Sequence, residues 1–582
     1  MKRFGRIIRR LLILVVLGIV AFTFTKVTPS AGYMYSSDNK LIDCSDGFTV
    51  TSSDVFTILS TAWQGMVGDA GNTNASFNSP QDLALYTNPV TGEETIYIVD
   101  SESNKLFIFD GNLNYKKTIN TFKIKTDSKL RPTRWTEDEV SLVRTRSADG
   151  KGSVLAWSVT NTFTGRDTID INLYGPSGVY RALRPVKDSN NRNVLDENEE
   201  TVYQDILYIC DSNNKQVILC DVNNDYEVVQ VVPTPTGYSF SDKFQPTKIT
   251  TDSSGRMFII SNNVYEGILL MSYQGEFMRM VGVNYTTLSV WDAIKRNFKT
   301  EEQLQQETSI LQTSFKNLCI DDQGFIYTVS GPVTNADGTI SKDKMIKRIN
   351  QSNKDILKRT GYNKPIGDII VRVTGTGAGA SSFVGVTVNK YGVYTVVDER
   401  NCRLFTYDEA GYLLYISGGA GDQITDIKIP VAVTYQGDNI LVLDRGNKAV
   451  MRFTPTAFAK QINQAVYYEY IGDSESAANE WQSVINANPQ YELAYVGVGK
   501  KYYEEARYRE AMTFFKKGND VKYYSRAYKL YRDSVIKSYF PTVVTVAIIA
   551  IAAVIIVKAV KRHKKKKADD DGEILWVKMQ EN

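Results

Sequence analysis

One stretch of this chain, Asp205–Asp221, constrains the fold because approximate copies of it recur along most of the sequence. It is an apolar run ending in Asp, a polar turn, and a second apolar run that again ends in Asp. Short apolar runs joined by a polar turn predict a strand, a tight turn and a strand. Further copies occupy Ile96–Asp110, Gly392–Asp408, Asn439–Phe453 and, more loosely, Arg256–Tyr273 and Phe325–Ile349.

Most copies are preceded by another β-rich run that begins at Pro or Phe, as in Pro80–Leu85, and several are followed by a fourth run after Gly, as in Gly411–Ile416. Four short antiparallel strands, repeated radially, form a blade of a β-propeller, and the chain holds six such units. The units resemble the NHL-repeat family of six-bladed propellers, which is related in shape to the gluconolactonase group. The resemblance extends from Asp54 to Pro455 and implies a fold rather than an activity, because propellers host unrelated chemistries.

The sixth unit has three predicted strands and then stops at Pro455, without an outer strand. An open ring would leave strand edges exposed, so we predict that a strand within Gly47–Met66 completes the last blade. The propeller is assigned to residues 33–455, with insertions at 111–175 and 288–313. The first insertion contains extra strand-like runs and the second has a helical pattern. Loops of this length on a propeller usually project from one face and carry partners.

From Ala457 the apolar period becomes helical. Small and aromatic residues then recur at the spacing of a helical-hairpin repeat of about 34 residues, in a pattern that resembles the tetratricopeptide (TPR) family. In the first repeat these are Ala465, Tyr468, Ala477, Trp481 and Pro489, and in the second Tyr495, Gly499, Tyr502, Ala511 and Phe515. The small residues let helices approach and the aromatic rings fill the space between repeats. Tyr523 replaces the usual Pro, so Asp520–Lys537 is predicted to be a capping helix of a TPR-like region over 457–537.

Two uncharged runs beside basic clusters predict attachment to a membrane. Phe540–Val557 is long enough to span a bilayer and is followed by a basic tail over 558–582. Leu11–Phe24 is shorter, so residues 1–32 are either a signal peptide or an uncleaved signal anchor, with the missing Ala-x-Ala site favouring the anchor. The positive-inside rule places the tail in the cytoplasm and everything between the two runs outside the cell membrane, in a single- or double-pass topology.

Composition excludes several classes of function. Apart from its basic ends the chain is mildly acidic, which argues against a nucleic-acid partner. Its five cysteines are an odd number, and we interpret them as small packing residues without disulfide bridges. The only histidine, His563, lies in the basic tail, so neither a histidine–zinc site nor a Ser-His-Asp triad can occur in the extracytoplasmic domain.

An Asp closes the second strand of several units, and an Asn follows it three or four residues later. The pairs are Asp100 and Asn104, Asp211 and Asn214, Asp398 and Asn401, and Asp444 and Asn447. The lactonase-like resemblance implies a divalent ion in the central channel, for which these side chains are candidate ligands. Alternatively, each carboxylate accepts backbone N–H groups in an Asx-type turn. Repetition in blade after blade favours the turn, because an enzyme needs only one site.

Three other segments have a functional and a simpler interpretation. Asp188–Glu199 spaces oxygen ligands like a calcium loop, but Arg192 occupies a ligand position and strands flank it, so a solvated acidic loop is favoured. Gly375–Gly379 suggests a phosphate-binding loop, but no Lys-Ser/Thr follows, so an inter-blade turn is favoured. Lys564–Lys567 is either a topology signal, which is simpler, or a site for anionic lipid.

These features predict a membrane-anchored, extracytoplasmic binding or scaffold protein that engages a protein partner at the cell surface, such as a transporter or a carbohydrate-handling complex. The tetratricopeptide resemblance implies that the first helices of the repeats line a peptide-binding face. On this chain the face would include Glu469, Lys500 and Tyr503, with Lys500 and Tyr503 exposed; a rigid spacer is the alternative. No catalytic residue, metal ligand or cofactor is predicted. The alternative function is a metal-dependent, lactonase-like hydrolase.

Overall fold

The computed structural model describes most of the chain in two compact units, Met1–Tyr470 and Ile471–Asn582. The described residues are 32–57, 77–125, 140–146, 153–159, 168–188, 190–235, 244–262, 264–282, 314–334, 340–370 and 379–580. Three predictions lie outside them: the N-terminal anchor over residues 1–31, the helix at 288–313, and residues 375–378 of the glycine-rich loop.

The first unit opens with four short strands and then the first blade with its insertion. The opening strands are β1 (Tyr33–Tyr35), β2 (Leu41–Asp43), β3 (Phe48–Thr49) and β4 (Val55–Thr57). The first blade contains β5 (Pro80–Thr87), β6 (Glu94–Asp100), β7 (Lys105–Asp110) and β8 (Tyr115–Ile119). The described part of the insertion forms two sheets of two antiparallel strands, in which β9 (Thr121–Lys125) pairs with β12 (Thr168–Asn172) and β10 (Val140–Arg146) pairs with β11 (Ser153–Val159).

The next two blades each have four antiparallel strands in chain order. The second contains β13 (Pro176–Pro185), β14 (Tyr203–Asp211), β15 (Gln216–Asp221) and β16 (Glu227–Val232). The third contains β17 (Pro246–Thr251), β18 (Met257–Ser261), β19 (Ile268–Met271) and β20 (Phe277–Val281).

The remaining blades complete the ring. The fourth is a sheet of β21 (Phe315–Ile320), β22 (Ile326–Ser330) and β25 (Ile346–Ile349), with a small hairpin of β23 (Val333–Thr334) and β24 (Ile340–Ser341) between its last two strands. The fifth contains β26 (Phe383–Val388), β27 (Tyr394–Asp398), β28 (Arg403–Tyr407) and β29 (Leu413–Ser417). The sixth contains β30 (Pro430–Gln436), β31 (Asn439–Asp444) and β32 (Ala449–Pro455). The described part of the chain thus forms a six-bladed β-propeller, as predicted.

The first strand of each blade lies nearest the ring centre, where it contacts the first strands of both neighbouring blades. Every one of these inner strands begins with Pro or Phe and has a register shift that skips its second residue. A β-bulge can accommodate Pro, and it changes the direction in which the side chain of the extra residue points. This shared bulge explains why a Pro or Phe precedes the copies in the sequence.

The prediction of ring closure is confirmed by two N-terminal strands. Phe48 and Thr49 of β3 lie opposite Pro455 and Thr454 at one end of β32, and β4 pairs with its other end. The last blade therefore receives its outer edge from the residues that precede the first blade. This arrangement covers the free edge of β32.

One boundary from the sequence needs correction, because the predicted insertion 111–175 includes the outer strand of the first blade. β8 pairs with β7, so the insertion begins only after Ile119. The strand was missed because it reads Tyr-Lys-Lys-Thr-Ile, in which only Ile119 is buried, so it lacks the apolar run used to find strands. All five cysteines are free, and Cys210 and Cys220 lie opposite Val217 and Leu207 rather than each other.

The C-terminal part of the chain is helical. Helix α1 (Ala457–Ile471) packs on the fifth blade, where the Tyr415 hydroxyl donates to Asn463 Oδ1 at 2.8 Å. The second unit contains α2 (Ser474–Ala487), α3 (Glu492–Glu504), α4 (Tyr508–Lys517) and the long α5 (Val521–Gln580). Helix α5 is long and apolar enough to cross a membrane, with a mean hydropathy of 2.9 in its most apolar window.

Helix α3 packs closely against both α2 and α4 because it presents glycines to their aromatic rings. A Cβ atom added to Gly497 would lie 2.1 Å from Cδ1 of Trp481, and one added to Gly499 would lie 2.6 Å from Cε1 of Phe515. Trp481 and Phe515 are 2% and 0% exposed, so the prediction that they form the core is confirmed.

Candidate functional site

The repeated Asp residues are buried structural acceptors. Asp444 accepts from the backbone N–H groups of Lys428 (2.7 Å) and Ile429 (2.9 Å), just before its own blade, and from Gly446 (2.8 Å) in the turn that follows. The Asn447 side chain donates at 3.1 Å to Asp444 Oδ2, the oxygen that also accepts from Lys428. The acceptor positions of this carboxylate are therefore occupied within the protein.

The same arrangement recurs in other blades. Asp100 accepts from the backbone N–H groups of Asn78 (2.6 Å) and Ser79 (2.9 Å). Asp398 accepts from those of Ser382 and Arg400, both at 2.9 Å. Asp211 accepts from Tyr174 N–H (2.7 Å), and the amide groups of Asn214 and Gln216 also donate to it. The turn interpretation of these four Asp residues is confirmed.

The residues skipped at the six bulges lie at the same end of the ring as these turns, and several join neighbouring blades. The ammonium of Lys316 in the fourth blade pairs with Glu399 of the fifth blade and lies 3.2 Å from Ser382 Oγ. The hydroxyls of Ser177 and Ser212, which are 2.7 Å apart, instead lie within the second blade. Arg445 donates to Gln81 Oε1 at 3.4 Å. The contacts of Lys316 and Gln81 therefore link neighbouring blades.

One residue further along the inner strands, an ion pair joins the first and third blades. Asp82 Oδ1 lies 2.5 Å from Lys248 Nζ, and the backbone N–H of Val179 in the second blade donates to Asp82 Oδ2 at 3.0 Å. Burial raises the pKa of Asp82, while Lys248 opposes the shift. Among the described residues, no group of three or more His, Cys, Asp or Glu side chains is placed to hold a metal ion.

The predicted binding residues Lys500 and Tyr503 share one face of α3 but are half-buried, so the prediction that they are exposed was wrong. The Lys500 ammonium lies 5.9 Å from the centre of the Tyr523 ring. The Tyr503 ring lies 5.8 Å from that of Tyr508 and 6.3 Å from that of Phe515. Rings contributed by α4 and α5 cover part of this face and leave the rest accessible, which periodicity alone does not reveal. Glu469 belongs to α1 of the first unit and is also half-buried.

Aromatic and basic side chains alternate elsewhere on these helices, in a feature that the sequence did not single out. The Tyr502 and Phe514 rings stack at 5.2 Å, and the Arg507 guanidinium lies 4.4 Å from the centre of the Tyr502 ring. Lys517 lies 5.8 Å from the Phe514 ring. The helical unit thus displays layered rings and cations, which contribute both packing and positive charge.

The described residues of the acidic loop Asp188–Glu199 form two consecutive turns. Asp188 accepts from the backbone N–H groups of Asn190 (2.8 Å) and Arg192 (2.9 Å), and the Arg192 guanidinium lies 3.1 Å from its other oxygen. Asp196 makes the equivalent bonds with Asn198 and Glu200. The interpretation as a solvated loop is confirmed.

A buried polar cluster that sequence reasoning missed fixes the N-terminal hairpin to the ring. Asp368 accepts from the hydroxyls of Tyr33 (2.5 Å) and Tyr35 (3.0 Å), and it forms an ion pair with Arg403 at 2.8 Å. Burial raises the pKa of Tyr35 to about 12. These residues are too far apart in sequence for any local pattern to have linked them.

Comparison with known proteins gives only distant similarities, and no protein-family model matches the chain. Human tetratricopeptide repeat protein 6 is 29% identical over 93 residues, which cover 15% of this chain and 18% of that protein. The chain therefore spans less than a fifth of that relative.

Among solved structures, selenomethionine-substituted virginiamycin B lyase from Staphylococcus aureus is 10% identical, with a TM-score of 0.32, covering 65% of this chain and 95% of that one. The calcium-binding protein regucalcin from Agrobacterium tumefaciens is 11% identical, with a TM-score of 0.30, covering 65% and 90%.

Proposed function

We propose that this chain is a membrane-anchored extracytoplasmic scaffold that binds a protein partner at the cell surface through its TPR-like helical unit. The observation that carries the proposal is the continuity of α5. Its first turns pack on α4, where Ala527 is fully buried, and the same helix continues into the apolar segment. Paired helical hairpins, of a kind used for peptide binding, are thereby joined to the membrane span without a flexible linker. The local similarity to a tetratricopeptide protein supports this assignment.

The chemistry of the helical unit favours an extended, acidic peptide as the partner. Between Glu492 and Tyr539, Lys and Arg clearly outnumber Asp and Glu. Lys500 and Tyr503 lie three residues apart on α3, and the ammonium of Lys500 lies next to the ring of Tyr523 on α5. A half-buried ring beside an ammonium offers apolar contact and positive charge at one place, which suits a peptide with alternating apolar and acidic residues.

A pull-down of the full-length protein in detergent tests the proposal, with co-purifying proteins identified by mass spectrometry. Lys500→Glu reverses the charge on the proposed face and should release the partner. Lys516→Glu makes the same change at an exposed position on α4 and should not. Tyr503→Phe keeps the ring contacts that hold α3 and should leave the fold intact. A folded Lys500→Glu variant that retains every partner would favour the rigid-spacer interpretation.

A separate experiment tests on which side of the membrane the propeller and the C-terminal tail lie. A thiol reagent that cannot cross membranes should label a cysteine introduced at Asn335 in intact cells and should not label one at Gly572. The wild-type protein supplies the background, because four of its cysteines are buried and Cys319 is half-buried. The reverse labelling pattern would place the propeller in the cytoplasm and contradict the proposal.

A further inference from the structure

A cleft of about 330 Å³ opens between the third and fourth blades, at the end of the ring opposite the buried Asp turns. One wall is the turn Asp252–Arg256, which joins β17 to β18, and the other is the turn Asp321–Gly324, which joins β21 to β22. The apolar side chains of Phe258, Leu270 and Ile326 form its floor. The cleft contains none of the residues discussed above as a binding face.

Three other blade junctions indicate why a cleft forms here. Arg181 joins the first and second blades by donating to the Tyr97 hydroxyl at 2.6 Å, and Arg184 joins the second and third by donating to the carbonyl of Tyr273 at 2.6 Å. Arg348 joins the fourth and fifth by donating to Glu409 at 3.2 Å. Between the third and fourth blades, Arg279 instead reaches from the outer strand to the carbonyl of Gln351 at 3.0 Å. The cleft lies between this contact and the inner strands of the two blades.

The charges around the cleft largely compensate one another. Asp252 pairs with Arg256 at 2.6 Å, and Asp321 pairs with Arg348, just behind the wall, at 2.9 Å. The exposed Asp322 faces the same cleft as Arg279. A site that recognises an ion carries uncompensated charge of the opposite sign, whereas balanced carboxylates, guanidiniums and amides suit hydroxyl groups, which both donate and accept.

We propose that this cleft binds one or two sugar rings of a neutral glycan, an activity separate from protein binding by the helical unit. The polar walls would hydrogen-bond to the hydroxyls, and the apolar floor would receive the C–H face of a ring. The volume lies at the lower end of the range for small-molecule sites, about 300–1,000 Å³, and fits a ligand of this size.

Saturation-transfer NMR on the full-length protein in lipid nanodiscs tests the proposal, with maltose, cellobiose and N,N′-diacetylchitobiose as probes. At least one disaccharide should receive saturation from the wild-type protein. Ser253→Trp places a large side chain at the exposed rim of the cleft and should abolish the signal. Asp438→Trp makes a matched change in the corresponding turn of the sixth blade and should preserve it.

A second variant keeps the test informative if the Trp side chain turns outward. Asp322→Ala removes one exposed carboxylate and leaves the floor intact, and it should weaken binding about tenfold, as expected for one lost hydrogen bond to a charged group. Three outcomes would overturn the proposal: no transfer to any of the three disaccharides, equal signals from Ser253→Trp and Asp438→Trp, or binding of inorganic phosphate or calcium in their place.

Discussion

The propeller and the helical unit bring their elements into close contact by different chemistry. In the ring, buried carboxylates such as Asp444 accept N–H groups from two segments at once, and this contact is repeated in other blades. In the helical unit, Gly497 and Gly499 each receive a different aromatic ring, and neither contact is repeated within the unit. A repeated polar contact spreads stability around a closed structure, whereas a unique apolar contact concentrates it in one place.

The largest expected effect comes from opening the ring. Deleting residues 47–57 removes β3 and β4 and exposes the edge of β32. We expect the propeller to lose cooperative unfolding and to aggregate, because the exposed edge offers unpaired N–H and C=O groups. Thermal unfolding followed by circular dichroism checks this expectation. A deletion variant that melts like the intact protein would show that the ring closes without these strands.

In the helical unit, truncating one ring should be nearly as severe. Phe515→Ala or Trp481→Ala leaves a cavity in a small core and should lower the free energy of unfolding by about 3–5 kcal/mol. Hydrogen exchange should then accelerate in α2–α4 but not in the blades. Val521→Ala, at a position 77% exposed, is the control and should have little effect. Equal acceleration in the blades would contradict the view that this contact acts locally.

For the ring, Asp444→Ala should cost about 2–3 kcal/mol, because it removes a fully buried acceptor from the N–H groups of Lys428, Ile429 and Gly446. Asp438→Ala, at an exposed turn of the same blade, should be almost neutral. Denaturant unfolding measures both. A loss confined to a few tenths of a kcal/mol for Asp444→Ala would mean that solvent replaces the carboxylate and that the turn contributes little.

The propeller and the helical unit also differ in how much of their structure could be predicted from the sequence. The Asp turns and the closing strand were predictable because the copies of the repeated unit can be compared with one another. The comparison shows which residues recur in each copy, and it shows that the sixth copy lacks a strand. The contact of Tyr33 with Asp368 was not predictable, since it joins distant segments that occur once each. The burial of Lys500 and Tyr503 was missed because helical periodicity shows which residues share a face, not which neighbouring rings cover it. The cleft depends on the length and direction of Arg279, which no pattern encodes.

A smaller loss of stability should follow when a side chain is added at Gly497, where α3 lies close to Trp481 of α2. Gly497→Ala gains helix propensity, but its Cβ would meet Trp481 at 2.1 Å, so the net cost should be about 1–2 kcal/mol. Ser525→Ala, at an exposed position on α5, should be neutral or slightly stabilising. In a Trp481→Ala background the clash disappears, so the double variant should cost less than the sum of the two single changes. Simple additivity would show that the two residues do not meet.

The smallest expected effect concerns Asp46, in the segment between the N-terminal hairpin and β3. Burial raises its pKa to about 6 from an ordinary value of 3.8, and the charge of Arg403 opposes the shift. One of its carboxylate oxygens is buried without a hydrogen-bond partner among the described residues. Because the folded protein binds the proton more tightly, between these two pH values it carries more protons than the unfolded chain. The contribution of Asp46 to the free energy of unfolding therefore falls as the pH rises through this window.

Asp46→Asn removes the charge and should stabilise the protein at pH 8 by on the order of 1 kcal/mol, a value reduced for the partial exposure of the group. The advantage should shrink as the pH is lowered to 5, because the wild-type carboxyl then becomes protonated. Melting temperatures of both proteins at pH 5 and pH 8 measure the difference, with Asp438→Asn as the exposed control. An advantage of equal size at both pH values would show that packing, rather than the charge of a half-buried carboxylate, separates the variants.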